Sequence, residues 1–389
     1  MLGAAVAVAG VGVVPFMARR PGPKVDPVVA DLTRQGTSLL RTELKEQVLR
    51  AVELFDQALR IDPDNAPLWG KLALAWAYAA EHDVAGAIDE TRRFAARARQ
   101  LESGEPNAEV ATILVDRGAP DDWFATEQRL QRVLQQDPGH IPARLALGVQ
   151  WQAAGYSRES KELNDGTIAL DAKADGMQPD TLNRHAFLFW IAGSEVEALR
   201  VMERAPQQFP DNTRLWMNHL ILRAFTGEYE AARVMVGRGP QGMGMPPDVS
   251  QAWLLALDAL EGRSPEAIAA AERPVFTSSL SYVPKTMLLA ELNLVDSALA
   301  VLQQVLRYKE DSGPPVVAEA PSNHNPRWRQ YQWLFTPATR NLRADARFAE
   351  VARHLMLDRY WEQRGQPDDG PRCERCLRGP PDPQKLSRA

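Results

Sequence analysis

AVELFDQALRIDPDNAPLW (residues 51–69) holds an amphipathic run, a stop and a fresh apolar start. Leu54, Phe55, Ala58 and Leu59 recur at helical spacing, Asp62-Pro63 interrupts them, and Leu68-Trp69 opens a second stripe. Proline ends a helix because it lacks an amide hydrogen and its ring collides with the preceding turn. Read alone, the stretch is one helix boundary. Read as one unit of a repeat, it predicts where other boundaries fall and which residue types surround them.

Stops of the same kind occur at Asp62-Pro63-Asp64-Asn65, Glu102-Ser103-Gly104-Glu105-Pro106, Asp137-Pro138-Gly139, Asp171-Ala172 and Phe209-Pro210-Asp211-Asn212, about 34 to 40 residues apart. Residue types recur in phase with them. Before Pro63 stand Ala51, Phe55 and Ala58, and after it Trp69 and Leu72; Leu147, Gly148 and Gly155 follow Pro138. Around Pro210 the same count meets Gly193, Ala198 and Ala205, then Trp216, Gly227 and Ala232. Small residues let paired helices approach closely, and a bulky one fills the groove between successive pairs.

With these residues the chain resembles the tetratricopeptide repeat family, whose period is about 34 residues. The resemblance covers roughly residues 30–308 and implies an all-α, right-handed superhelical solenoid of helix-turn-helix repeats. It implies too that the first helix of each repeat lines a concave groove for a protein or peptide partner. In that register Gln152, Asn183, Trp190, Arg214 and Met217 are the groove-facing, partner-binding candidates. They mix polar, aromatic and flexible apolar character and lack the lysine and arginine clamp that suits a terminal carboxylate. Trp69, Trp216 and Trp253 fall instead on packing positions. The chain departs from the standard repeat at TELKEQ (42–47), in a long second hairpin, at RGPQGMGMPPD (238–248), and in weaker pairs near 250–272 and 281–308.

The two ends carry a narrower likeness. VADLTRQGTSLLRTELKEQVLRAVELFDQALRIDPDNAPLWGKLALAWAY (29–78) and LRADARFAEVARHLMLDRYWEQRGQPDD (342–369) are similar to the start and end of a C-terminal repeat region. That region occurs in bacterial membrane-spanning winged-helix transcriptional activators and in repeat-bearing adenylate or guanylate cyclases. The closing motif pairs Arg343, Asp345, Arg347 and Phe348 with Tyr360 and Trp361. The resemblance implies an output domain ahead of the array, often across a membrane span, and this sequence contains none.

Composition bounds the rest. The chain has 389 residues, 45% hydrophobic and 24% charged, with a net charge of -5 and both signs interspersed. No field of that kind draws a chain to nucleic acid, so direct nucleic-acid binding is not expected. Cys373 and Cys376 sit in a Pro/Gly-rich tail, too few for a disulfide framework or a four-ligand zinc site. Leu2–Met17 is uncharged and precedes Arg19-Arg20. Such a run spans about 24 Å as a helix, less than the roughly 30 Å of a hydrocarbon core. It reads as a short membrane anchor, a signal-like segment without a basic start, or the last span of a longer protein.

The expected plan is an anchor or signal-like segment at 1–20, a linker at 21–29, the array at 30–308 and a Pro-rich loop at 309–326. A helical cap at 327–364 and a disordered tail at 365–389 complete it. No catalytic pattern emerges: the six histidines are scattered, and no HExxH, GxSxG or P-loop spacing occurs. Met235, Met243 and Met245 lack the neighbouring His or Cys that would make a copper site. No catalytic, cofactor-binding or metal residue is assigned and no cofactor is expected. The expected function is a non-enzymatic protein interaction scaffold in a bacterial membrane-associated or periplasmic setting, with a cytoplasmic location as the alternative. The alternative function is the sensory or regulatory part of a transcriptional activator or cyclase system.

Overall fold

The computed structural model describes residues 26–115, 123–171, 178–272, 282–306 and 331–370. Among them are nineteen α-helices and no strand, so the architecture is the expected all-α solenoid. Its first sixteen helices run as eight consecutive pairs. These are α1 (Pro27–Leu40) and α2 (Lys45–Ile61), α3 (Ala66–Glu81) and α4 (Ala87–Leu101), α5 (Pro106–Val115) and α6 (Trp123–Gln136), and α7 (Ile141–Ala153) and α8 (Ser157–Asp171). Then come α9 (Pro179–Ile191) and α10 (Glu195–Gln208), α11 (Thr213–Phe225) and α12 (Tyr229–Arg238), α13 (Pro247–Gly262) and α14 (Pro265–Glu272), and α15 (Tyr282–Glu291) and α16 (Val295–Leu306). The expectations for Leu2–Met17, for the Pro-rich loop and for Cys373 and Cys376 lie outside the described residues. Among the described residues no helix is long and apolar enough to cross a membrane.

Each stop signal works through a side-chain cap as well as a proline. Asn65 Oδ1 accepts the Leu68 amide at 3.1 Å to open α3, and Asn212 Oδ1 accepts the Leu215 amide at 3.1 Å to open α11. Two residues after Pro138 the same position is His140, whose Nδ1 accepts the Ala143 amide at 3.2 Å. An accepting Nδ1 leaves the proton on Nε2, which lies 3.2 Å from Asn107 Oδ1. At the turns within pairs, Gly155, Gly193 and Gly227 all take positive φ (+87°, +79° and +85°), which a side chain would oppose. The small and aromatic positions are where the phase put them: Ala51, Phe55, Ala58, Ala198, Ala205 and Ala232 are fully buried. A Cβ on Gly36 of α1 would come within 2.7 Å of the Phe55 ring, so glycine sets the closeness of the first pair.

The chain after residue 330 does more than cap the last repeat. It runs through 3-10 turns at Gln332–Phe335 and Pro337–Thr339, then α17 (Arg340–Ala344), α18 (Phe348–His354) and α19 (Leu357–Arg364). It touches α15 and then crosses to α6 and α7, near the middle of the array. Buried Glu127 of α6 is the anchor: it accepts from Trp151 Nε1 at 2.7 Å, Tyr360 Oη at 2.7 Å and Arg364 Nε at 2.9 Å. Trp123 Nε1 donates to Leu355 O at 2.8 Å and Trp361 Nε1 to Ala154 O at 2.9 Å. Phe335 lies over Gly155, where a Cβ would meet its ring at 2.9 Å.

The closing motif read from the sequence is the skeleton of this segment. Arg343 is buried and donates to Leu334 O, Thr336 O and Thr339 Oγ1 at 2.6–2.8 Å. Asp345 accepts from Arg347, and Arg347 reaches Asp296 of α16 at 2.7 Å. Phe348, Tyr360 and Trp361 are buried. The start of the tail differs from expectation: residues 365–370 are packed. Gly365 O accepts the Tyr156 hydroxyl, Arg158 pairs with Asp368 at 2.9 Å, and the Asp369 amide donates to Gly155 O at 3.0 Å. Proline and charge suggested a loose end, but backbone groups of the Gly155 turn are available to hold it.

The His140 cap makes stability depend on pH. Burial pushes its pKa down to about 4 from the ordinary 6.5. Folding favours the neutral ring, so its contribution is complete above pH 6.5 and is lost as pH falls toward 4. His219, lowered to about 4 by burial and Arg223, adds a second loss of the same sign. His140→Asn keeps a cap acceptor and is expected to make the fall in Tm between pH 6.5 and 4 shallower. A fall as steep as in the wild type would contradict the neutral-cap account.

Candidate functional site

First helices of successive pairs supply one side each to a common concave face. On α7 the stripe is Leu145, Val149 and Gln152, on α9 Asn183 and Phe187, and on α11 Arg214, Met217, Asn218 and Ile221. Spacings of three, four and seven residues keep each set on one side of its helix. These stripes line a cavity of about 670 Å³, closed further by the ends of α3, by α15 and by Gln332 and Trp333. Glu43, Leu44 and Lys45, at the turn of the first pair, complete its wall.

Four of the five positions expected to face the groove come together here: Gln152, Asn183, Arg214 and Met217 all line the cavity. Trp190 does not. It shares a stripe with Asn183, seven residues away, but at the C-terminal end of α9 Phe225 of α11 lies against it. The ring is 1% exposed and also meets Phe187 edge-on at 5.8 Å, so it belongs to the core.

Asn218 was missed and carries a readable signal, since it stands 35 residues after Asn183 and donates to its Oδ1 at 2.9 Å. The pair bridges α9 and α11. Asn183 Nδ2 and Asn218 Oδ1 have no other partner among the described residues, leaving one donor and one acceptor at the cavity wall. That combination matches the acceptor and donor of a single peptide group.

A charged cluster closes one end. Glu43 forms an ion pair with Arg214 of α11, and its Oε1 accepts the Asp180 amide of α9 at 3.1 Å. Asp180 Oδ1 lies 3.7 Å from Arg214 and its Oδ2 is 2.7 Å from Arg184. Burial pushes the Glu43 carboxyl up to about 7, with Asp180 and Glu81 adding to the rise and Arg214 opposing it. Burial works against the Arg214 charge, but Glu43, Asp180 and Glu81 together hold its pKa above the ordinary value. The cluster leaves little net charge to attract a strongly ionic ligand. No group of three or more His, Cys, Asp or Glu able to hold a metal occurs among the described residues.

No family model matches the chain, and no curated protein does. Among solved structures the chain is similar to a tetratricopeptide repeat protein from Parabacteroides merdae ATCC 43184. The identity is 15% and the TM-score 0.33, over 74% of this chain and 94% of that chain.

Arg214→Met tests the charge cluster. Removing the guanidinium leaves Glu43 beside Asp180, and the cost grows as Glu43 ionises. A loss of about 1–2 kcal/mol at pH 8, and less at pH 6, is expected from urea unfolding, a modest figure because Arg214 is half exposed. Equal losses at the two pH values would contradict the assignment of the raised Glu43 pKa.

Proposed function

We propose that the chain is a non-catalytic interaction scaffold that holds a short, largely uncharged peptide segment of a partner in this cavity. The observation that carries the reading is the Asn183–Asn218 bridge set among Leu145, Phe187, Met217, Ile221 and Met287. Apolar walls with a few placed polar groups are what a binding site needs, and its volume is within the roughly 300–1,000 Å³ of known ligand sites. A peptide lying across α9 and α11 would set one amide group against the free Asn183 donor and Asn218 acceptor, with its side chains between Phe187 and Met217. Methionine suits such a surface because its flexible, polarisable chain adapts to the occupant.

The proposal includes a membrane tether at residues 1–20, which rests on the uncharged run Leu2–Met17 followed by Arg19-Arg20. Gln152 and Arg214 are assigned to the rim of the site rather than its centre, because Gln152 is almost buried and Arg214 is engaged by Glu43.

Site-specific photo-crosslinking tests the reading. A photoreactive residue at Met217 is expected to capture a partner in cells, whereas one at exposed Val196 on α10 is not. Asn183→Ala with Asn218→Ala is expected to abolish the Met217 product. Equal capture from both positions, or a product insensitive to the double substitution, would refute binding in the cavity.

A further inference from the structure

We infer that the turn between α1 and α2 is a proton-operated latch on the cavity, closed when Glu43 is protonated and released when it ionises. The inference concerns regulation of the proposed peptide site and rests on that reading only for its consequence, because opening of the turn is a property of the chain itself.

The geometry is that of a latch. Helices α1 and α2 pack on each other and on α3, and they reach the far wall of the cavity through the turn. Arg41 pairs with buried Asp171 at the end of α8 at 3.1 Å, and Glu43 sits on Arg214 and on the first amides of α9. Asp171 is already held by the Gln178 amide at 3.1 Å and Thr181 Oγ1 at 2.9 Å, so the Arg41 contact is the fixed hook. Glu43 is the variable one. Its backbone is left-handed, with φ at +57°, a conformation that non-glycine residues rarely adopt. Keeping it there requires the side-chain contacts on the far wall.

The charges facing Glu43 decide the sign. Arg214 comes from α11, Asp180 from α9, Glu81 from the end of α3, His82 from just beyond it, and Lys45 from α2. Arg184 is committed to Asp180. His82 is pushed toward its neutral form by burial, so it adds little positive charge near neutrality. One guanidinium therefore serves Glu43, Asp180 and Glu81 at once. Glu43 has an ordinary pKa of 4.5 when hydrated and about 7 when docked. The docked state binds the proton more tightly, so rising pH shifts the population toward the undocked state until Glu43 is ionised in both. Releasing the turn removes Glu43, Leu44 and Lys45 from the cavity wall and opens that end to an extended segment.

The test is a distance measurement in the full chain. Spin labels go on Arg50→Cys of α2 and Gln207→Cys of α10, both exposed sites, with Cys373→Ser and Cys376→Ser as background. A longer component in the distance distribution is expected to grow between pH 5.5 and 8.5, with a midpoint near 7 as the docked Glu43 pKa sets it. Glu43→Gln, which keeps the shape of the protonated acid, should stay short at every pH. Glu43→Ala should show the longer component at every pH. Far-UV circular dichroism shows that each variant stays folded. A distribution independent of pH in the wild type, lengthening on acidification, or a Glu43→Gln protein that still responds would overturn the latch. Photo-crosslinking from Met217 is a separate readout, so the latch and the peptide reading can fail independently.

Discussion

Glu127 is the point on which the closed shape depends. A carboxylate taken out of water needs partners, and here it finds donors on α7 and on α19 at once. A stack of helix pairs is ordinarily quasi-one-dimensional, each pair touching only its neighbours. The Glu127 contacts join residues more than two hundred positions apart and turn the stack into a closed body. Buried ion pairs add little net stability because desolvation offsets attraction. The attraction comes mainly from Phe335, Phe348, Tyr360 and Trp361 leaving water, while Glu127 decides where those rings dock.

Closure is what makes a cavity out of a groove. The 3-10 turn that carries Gln332 and Trp333 is positioned by the same segment, with Phe335 seated over the side-chain-free Gly155 turn. From the other side the first pair reaches across through Arg41 and Glu43. An open solenoid offers a long surface to a large partner. This one offers an enclosed space whose walls come from the first, middle and last parts of the chain, so its occupant is short or the walls move.

What was legible in the sequence is what is local. Pro63, Pro138 and Pro210 mark helix ends because proline acts within one turn, and Asn65 and Asn212 cap the next helix because the cap lies within three residues. The alanine and glycine positions followed from the same count. Helical spacing also placed Gln152, Asn183, Arg214 and Met217 on one wall, and it misplaced Trp190 because a stripe does not say which of its residues a neighbouring helix covers. Glu43 was invisible as a site residue, since its partners are 137 and 171 positions away. The Arg343 to Trp361 motif was noticed only as a likeness. Its residue types are explained by buried hydrogen bonds and rings that have no local signature.

Hydrogen exchange on Glu127→Ala tests closure most directly, because the substitution removes the acceptor and leaves Arg364 and Tyr360 partly unpaired. Residues 331–370 are expected to lose protection, together with the 123–158 surface they cover, while α1 to α4 keep theirs. An order-of-magnitude loss of about 3 kcal/mol for the contact is the scale set by breaking a buried pair. Unchanged protection across residues 331–370 would show that Glu127 does not hold the chain closed.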